Sequence, residues 1–204
     1  LWKTTDITLS PANWAPVNDY MVNLSIAAIT QDPTDHNIMY MCTGESFFEA
    51  RSLRGNGVFK STDHGVTWSQ LSSTNNASYY YCTRILCDFQ GNIYVGTQSG
   101  LFRSTKASGG AAWVNITPSG VATAVSDLEI SSTTVAGRLH VINGVVGSLT
   151  SRYTDIPATV ASGTWTSPAT TIPSTSIRAE IAVSGNTLYC LPSNAADETP
   201  TVYK

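Results

Sequence analysis

The octapeptide Ser61-Thr62-Asp63-His64-Gly65-Val66-Thr67-Trp68 is the strongest indication of fold in this chain. An aspartate carboxylate can accept backbone N–H groups of a tight turn, and glycine adopts the positive φ that such turns require. A tryptophan at the end of the turn can pack between neighbouring strands. The octapeptide is therefore predicted to be a turn between two antiparallel strands. The residues expected to have structural roles in it are Ser61, Asp63, Gly65, Thr67 and Trp68.

Tryptophans in a similar setting recur along the chain. Trp14, Trp68, Trp113 and Trp165 lie 54, 45 and 52 residues apart. Before Trp68 stands Val58-Phe59-Lys60-Ser61, an apolar, aromatic, basic and hydroxyl string. Related strings precede the other tryptophans and begin Leu1-Trp2-Lys3, Leu101-Phe102-Arg103 and Ser151-Arg152-Tyr153. The chain therefore contains an internal repeat of about 45 to 54 residues, and repeats of this length indicate a repeat architecture.

Two further β-type runs lie between successive copies, each rich in β-branched and aromatic residues and bounded by turn residues. The predicted pairs are 24–29 with 38–43, 81–87 with 92–96, 128–131 with 139–142, and 177–183 with 187–191. No stretch of ten or more residues shows a persuasive helical apolar face. Each unit is therefore predicted to contain four short antiparallel strands.

Four-stranded units of this length, repeated in tandem, are typical of β-propeller blades. We expect an all-β fold with three full blades, 21–71, 79–117 and 125–166, and two partial blades, 1–17 and 177–204. Because the two ends duplicate each other, we expect the chain to be part of a larger propeller of about six to eight blades. A stacked β array and a two-sheet sandwich are the alternatives, although a sandwich gives no reason for a tryptophan at this interval.

The octapeptide matches all five defined positions of the Asp-box pattern, Ser/Thr-x-Asp-x-Gly-x-Thr-Trp, and the chain resembles the sialidase-like or BNR-repeat β-propellers. The phrase Met41-Cys42-Thr43-Gly44-Glu45, followed by Gly55-Asn56-Gly57-Val58-Phe59-Lys60-Ser61, is similar to secreted bacterial Asp-box proteins often labelled glycosyl hydrolases. The other copies are degenerate, and Lys106 stands where the next box has aspartate. The resemblance implies that the Asp box faces away from the active site, so that Asp63 is structural.

The composition excludes several classes of partner. Charged residues make up 12% of the chain, against roughly a quarter in an average soluble protein, whereas 24 serines and 27 threonines make up a quarter of it. The net charge is −3 and the basic residues are scattered singly, so a nucleic-acid partner or an anionic membrane surface is not expected. No apolar run approaches the roughly 18 residues that span a bilayer, so membrane insertion is not expected.

The Ser/Thr-rich, lysine-poor composition and the family resemblance predict an extracellular or cell-surface location. The cysteines, Cys42, Cys82, Cys87 and Cys190, lie on predicted strands without a Cys-x-x-Cys pair. Buried free thiols are expected, and a disulfide from Cys42 to Cys82 or Cys87 is the alternative. No metal-ligand spacing and no phosphate-binding glycine loop is present, so no metal or cofactor is expected.

Candidate binding residues lie where loops enter the inner strands or join the second and third strands of a blade. The longest such loop, 45–57, mixes charges with aromatics that suit a sugar or a peptide, and a solvated insertion is the alternative. The predicted ligand-binding residues are Glu45, Phe47, Phe48, Glu49, Arg51 and Arg54 in this loop, with Tyr20, Tyr80, Arg84 and Arg178 near the inner strands.

Carboxylates in the same regions could perform acid/base chemistry on a glycosidic bond. The candidates are Glu45, Asp127, Glu129 and Glu180. The Arg-Ile-Pro signature of sialidases and the Asp-Val-Gly-Gly type phrase of xyloglucanase-like propellers are absent. We therefore expect a scaffold that binds a glycan or a protein. The alternatives are a sialidase-like or xyloglucanase-like glycoside hydrolase with its cleft on the loop face, and a structural spacer in a large exported protein.

Overall fold

The computed structural model describes residues 1–17, 25–45, 52–134, 136–145, 149–156, 164–168, 172 and 176–194. This part of the chain is all-β apart from two short 3-10 helices, Ser72–Thr74 and Ala77–Tyr79. Every strand pair in it is antiparallel. The all-β, antiparallel prediction is confirmed. Among the described residues, no helix has the length and apolar character needed to cross a membrane.

The strands of the described ranges form five sheets, numbered I to V in chain order. Sheet I pairs β1 (Trp2–Lys3) with β2 (Ala15–Pro16). Sheet II contains β3 (Ile26–Gln31), β4 (Met39–Thr43), β5 (Val58–Ser61) and β6 (Ser69–Gln70). Sheet III contains β7 (Cys82–Cys87), β8 (Ile93–Thr97), β9 (Gly100–Ser104) and β10 (Val114–Asn115). Sheet IV contains β11 (Val125–Ser131), β12 (Arg138–Asn143) and β13 (Thr150–Asp155), and sheet V pairs β14 (Ser176–Ser184) with β15 (Thr187–Asn194).

Sheets II and III are meanders in which each strand pairs with the next strand in sequence. Sheet IV continues the pattern, because a bridge between Tyr153 and Thr166 occupies the place of a fourth strand. The first strands of sheets II to V, which are β3, β7, β11 and β14, contact one another in succession. These four strands therefore form the inner row of the structure, and the later strands of each sheet lie farther out.

The apolar core is divided into clusters that lie between neighbouring sheets. Tyr40, Cys42 and Val58 of sheet II pack against Ile85, Ile93 and Phe102 of sheet III. A second cluster joins sheets III and IV, and it includes Tyr94, Leu101, Leu128 and Val141. A third joins Ile142 and Leu149 to Ala179 and Ile181 of sheet V. Since burying one such side chain contributes about 1.5–3 kcal/mol, each sheet depends on its neighbours for stability.

The octapeptide 61–68 forms a tight turn between β5 and β6. The Asp63 carboxylate accepts the backbone N–H groups of Val66 at 3.1 Å and Thr67 at 2.8 Å, and the Thr67 hydroxyl at 2.6 Å. The Ser61 hydroxyl donates to Asp63 Oδ1 and accepts the N–H of Gly65, which has φ +75°. These bonds, the Thr67 hydroxyl first, lower the pKa of Asp63 to about 2.

The corresponding turn of sheet III keeps this geometry without an aspartate. Ser104 Oγ accepts the N–H of Gly110 at 3.1 Å, and Trp113 Nε1 donates to the carbonyl of the same glycine at 2.9 Å. Trp68 Nε1 donates to the carbonyl of Gly65 in the same way. In place of the carboxylate, the hydroxyl of Ser108 accepts the N–H of Ala112. The turn therefore tolerates loss of the acid because a hydroxyl supplies a local acceptor.

The tryptophans lie in related but unequal environments. Trp113 packs against the cluster between sheets II and III and contacts the Tyr79 ring. Trp165 packs against the cluster between sheets III and IV, and its indole N–H donates to the carbonyl of Ile116 rather than to its own turn. Trp14 in sheet I is 55% exposed. Trp113 and Trp165 therefore each pack against the sheet that precedes their own.

All four cysteines are free, and Cys42 and Cys82 are fully buried between sheets II and III. Burial raises the pKa of the Cys87 thiol to about 12. These thiols therefore behave as small apolar side chains of the core.

Replacing Asp63 with asparagine is expected to lower the melting temperature at neutral pH, because an amide cannot accept all of the bonds that the carboxylate accepts. The folded-state pKa of Asp63 lies below its ordinary value of 3.8, so its stabilisation is present above pH 3.8 and is lost as the pH falls toward 2. The wild-type protein should lose more stability than Asp63→Asn over this range. Thermal unfolding followed by circular dichroism between pH 7 and pH 2 measures the difference. Asp35→Asn, in an exposed turn, is the control for the charge change, and parallel curves for wild type and Asp63→Asn would contradict the structural role.

Replacing Gly44 with alanine is expected to destabilise the protein strongly. Gly44 has φ +99°, and a Cβ there would lie 2.1 Å from the backbone oxygen of Tyr80. Gly120 also has a positive φ, +72°, but nothing lies within 4 Å of its Cβ position. Gly120→Ala should therefore cost about 1–2 kcal/mol for the backbone alone, and Gly44→Ala about 3–5 kcal/mol because sheets II and III must also separate. Urea unfolding measures both values, and equal losses would show that Gly44 does not hold the two sheets in close contact.

Candidate functional site

A β-bulge occurs at the same point near the start of all four inner strands. The pairing register shifts between Ile26 and Ala28, Cys82 and Arg84, Val125 and Asp127, and Ser176 and Arg178. A bulge bends its strand and changes the direction of the next side chain. The residues that follow the four bulges are Ala28, Arg84, Asp127 and Arg178. The fold therefore presents one equivalent position four times, and three of these positions carry a charge.

The bulges border a cleft of about 270 Å³ at the ends of the inner strands. All four sheets from II to V contribute to its lining, which is mainly polar. The lining residues are Ser25, Ile26, Ala27, Gly44, Glu45, Cys82, Thr83, Arg84, Ser126, Asp127, Arg178 and Glu180. Of the predicted site residues, the structure thus brings Glu45, Arg84, Asp127, Arg178 and Glu180 together.

Asp127 is the buried centre of this cluster, with a side chain 5% exposed. Its Oδ1 accepts the N–H of Leu128 at 2.9 Å, and its Oδ2 accepts the N–H of Ile181 on sheet V at 2.8 Å. Arg84 Nε of sheet III lies 3.0 Å from Oδ1. The Nε–H is not directed at this oxygen, so the contact is an ion pair rather than a hydrogen bond. One carboxylate therefore joins sheets III, IV and V.

Glu129 lies two residues farther along β11 and contacts the same guanidinium. Arg84 Nη2 lies 3.5 Å from Glu129 Oε1, and the Glu129 side chain is 26% exposed. Burial raises the pKa of Glu129 and of Asp127, and the positive charge of Arg84 opposes this rise in both. Asp127 also has two backbone N–H donors to stabilise its charge. Two carboxyl groups therefore lie against one guanidinium, and Glu129 is the more exposed of the two.

The remaining charged groups of the cleft come from sheets II and V. Arg178 Nη2 contacts Glu180 Oε1, and the Glu180 side chain is 60% exposed. Glu45 Oε2 accepts the N–H of Leu53 at 3.2 Å, and the Glu45 N–H donates to the Leu53 carbonyl. Glu45 therefore closes the ends of its loop and also lines the cleft. Carboxylates of this kind can accept sugar hydroxyls.

Two predicted ligand-binding residues, Arg54 and Tyr80, contact each other beside the cleft. The Arg54 guanidinium lies 3.7 Å from the centre of the Tyr80 ring, and the N–H of Gly55 donates to the Tyr80 carbonyl. This stack holds the end of the loop against the next sheet. The other candidates, Tyr20, Phe47, Phe48, Glu49 and Arg51, lie outside the described residues.

Sequence reasoning missed the small polar lining residues Ser25, Thr83 and Ser126. Thr83 and Ser126 are the extra residues of two bulges, and a bulge leaves no residue-type signal in a chain this rich in hydroxyls. Their position in the sequence could have identified them, because Thr83 directly precedes Arg84 and Ser126 directly precedes Asp127. No group of three His, Cys, Asp or Glu side chains in the described ranges could hold a metal ion.

No protein-family model and no curated protein sequence matches this chain. Solved structures do resemble it. A GH74 enzyme from Niastella koreensis has a TM-score of 0.64 and 20% identity, and the match covers 93% of this chain and 30% of that one. An ancestral GH74 enzyme has a TM-score of 0.61, 19% identity and coverages of 90% and 25%. The GH74 xyloglucanase from Xanthomonas campestris has a TM-score of 0.59, 20% identity and coverages of 92% and 30%.

The chain spans between a quarter and a third of the length of these structures. At about 20% identity the likeness concerns the fold, and the GH74 fold is a β-propeller. The antiparallel sheets described above are therefore consistent with the propeller-like fold of these structures.

Proposed function

We propose that this chain forms part of the glycan-binding cleft of an extracellular or cell-surface glycoside hydrolase whose propeller is completed by further blades. The observation that carries the proposal is the cleft at the four aligned bulges, whose lining includes Arg84, Asp127 and Glu180. Glu129 lies behind this lining, against the same Arg84 guanidinium that pairs with Asp127. The sequence alone favoured a binding scaffold over a glycoside hydrolase, and the proposal reverses that preference. The GH74-like fold adds support, because the neighbours are named as glycoside hydrolases.

Glu129 suits the role of general acid. A carboxyl group that donates a proton to the leaving oxygen needs a raised pKa, and burial raises that of Glu129. Its proton would pass to the glycosidic oxygen as the bond to the sugar carbon breaks. Asp127 is less suited, because both of its oxygens accept backbone N–H groups and it holds three sheets together.

Glu180 suits the second carboxylate, which acts on the sugar carbon either directly or through a water molecule. It lines the cleft, comes from the neighbouring inner strand, and is the most exposed of the three carboxylates on the inner strands β11 and β14. Glu45, across the cleft on sheet II, would accept a substrate hydroxyl. Arg178 orients Glu180 through their ion pair.

A glycan-binding scaffold without turnover is the second candidate. The observation that favours it is that Asp127, Glu129 and Glu180 each have an arginine partner. Such pairs also occur wherever charges are partly buried, because a lone buried charge is costly. In this case the cleft would bind sugars through hydroxyl contacts alone, and a protein ligand would be recognised by the same surface.

Substituting Glu129 with glutamine separates the two functions. In the hydrolase, Glu129→Gln should lower kcat on β-glucans such as xyloglucan by about 10²–10⁴-fold, the usual contribution of a general acid, while the affinity for the oligosaccharide changes little. Glu180→Gln should have a similar effect. Asp155→Asn, on the same sheet but outside the cleft, is the matched control and should retain activity. Reducing-sugar release by the full-length protein and calorimetric binding measure the two properties.

The outcomes are distinct. Binding by the wild-type protein without turnover would reject the hydrolase and favour the scaffold. The absence of both would favour the structural spacer. Turnover that survives both Glu129→Gln and Glu180→Gln would reject these residues as the catalytic pair and direct the search to Glu45 and to other blades.

A further inference from the structure

We propose that Arg84 is a positioning residue of the cleft: anchored on Asp127, its guanidinium holds the Glu129 carboxyl in place from the neighbouring sheet. The proposal rests on the proposed function in so far as Glu129 is the acid of a glycoside hydrolase. It concerns a residue of sheet III acting on a residue of sheet IV, 45 positions away in sequence.

Asp127 anchors the Arg84 guanidinium. Asp127 cannot turn freely, because the N–H groups of Leu128 and Ile181 hold its two oxygens and its side chain is almost fully buried. Arg84 Nε lies 3.0 Å from this fixed carboxylate. The attraction to this buried anion therefore keeps the Nε edge of the guanidinium beside Asp127, while the Nη2 edge lies beside Glu129.

The other edge of the Arg84 guanidinium contacts Glu129. Arg84 Nη2 reaches Glu129 Oε1 at 3.5 Å, so one guanidinium lies against two carboxyl groups. A lysine could not reproduce this arrangement, because an ammonium group is a point charge rather than a fork. The bulge between Cys82 and Arg84 supplies the direction, since without it Arg84 would occupy the other face of β7.

The electrostatic consequence follows from the groups that face Glu129. On its own strand lies Asp127, which favours the protonated form of Glu129, and on β7 lies Arg84, which favours the ionised form. His140 stands directly opposite Glu129 on β12, and burial lowers the pKa of His140 to about 4, so it is neutral above that pH. Sheet V contributes Glu180 and Arg178, which pair with each other next to Asp127. Arg84 is therefore the cation in contact with Glu129 among the described residues.

Titration of the Glu129 carboxyl in Arg84→Gln tests the proposal independently of turnover. Removing the cation should raise the pKa of Glu129 by about one unit. Because a general acid must be protonated, the decline of kcat/KM on the alkaline side should move to higher pH by the same amount. Carboxyl-¹³C NMR of the protein labelled with ¹³C-glutamate measures the titration, with the signal assigned by its loss in Glu129→Gln. Lys106→Gln removes a lysine from the turn that follows β9, outside the cleft, and should leave the Glu129 titration unchanged.

An unchanged Glu129 titration in folded Arg84→Gln, or an equal shift in Lys106→Gln, would overturn the proposal. If Arg84→Gln loses the native near-ultraviolet circular dichroism spectrum, Arg84→Lys is used as the test variant instead. Arg84→Lys should shift the Glu129 titration by part of the amount expected for Arg84→Gln. An unshifted titration in Arg84→Lys would then also overturn the proposal. A shifted titration in a protein that hydrolyses no glycan supports the role of Arg84 and rejects the hydrolase. Glycan turnover with an unshifted Glu129 titration supports the hydrolase and rejects the role of Arg84.

Discussion

The apolar contact between neighbouring sheets is the interaction on which the rest of the structure depends. The cluster between sheets II and III draws Tyr40 and Val58 from one side and Ile85 and Phe102 from the other, and the next two clusters are built in the same way. A sheet of four short strands cannot bury both faces alone, so it is stable only when its neighbours are in place. The same contact brings the inner strands side by side, which allows Asp127 of one sheet to accept the N–H of Ile181 of the next.

On this repeated backbone, the site results from side-chain variation at equivalent positions. The bulge is common to the four inner strands, whereas the residue after it changes from Ala28 to Arg84, Asp127 and Arg178. Charges at neighbouring copies of one position must lie close together, because the strands that carry them are in contact. Pairing is then a physical requirement, since an isolated charge at a partly buried site costs several kcal/mol. A cation on sheet III and carboxylates on sheet IV therefore stabilise the cleft whatever ligand it binds.

Much of the fold could be predicted from the sequence because its signals are local. The octapeptide at Asp63 contains its own acceptors, donors and glycine, and the strands follow from β-branched runs between turn residues. The bulges could not be predicted, because the extra residues Ala27, Thr83, Ser126 and Ile177 share no chemical property. The candidate carboxylates and arginines could be named individually, but the pairing of Arg84 with Asp127 depends on the register of two different sheets. The stack of Arg54 on Tyr80 could not be predicted for the same reason, since it depends on how a loop of sheet II meets sheet III.

One row of side chains across the sheets shows how the repeat and the site are connected. In sheet III, the buried Tyr94 hydroxyl donates to Asp88 and accepts from Arg103. The register places His140 at the position of Tyr94 and Ser131 at that of Asp88, and in sheet IV the Ser131 hydroxyl lies 3.0 Å from His140 Nε2. A neutral imidazole satisfies this bond, and burial keeps the His140 pKa near 4. A protonated His140 would instead place a second cation opposite Glu129 and stabilise its ionised form. The exchange of a charged network for a neutral pair in sheet IV therefore leaves Arg84 as the cation that opposes the effect of burial on the Glu129 pKa.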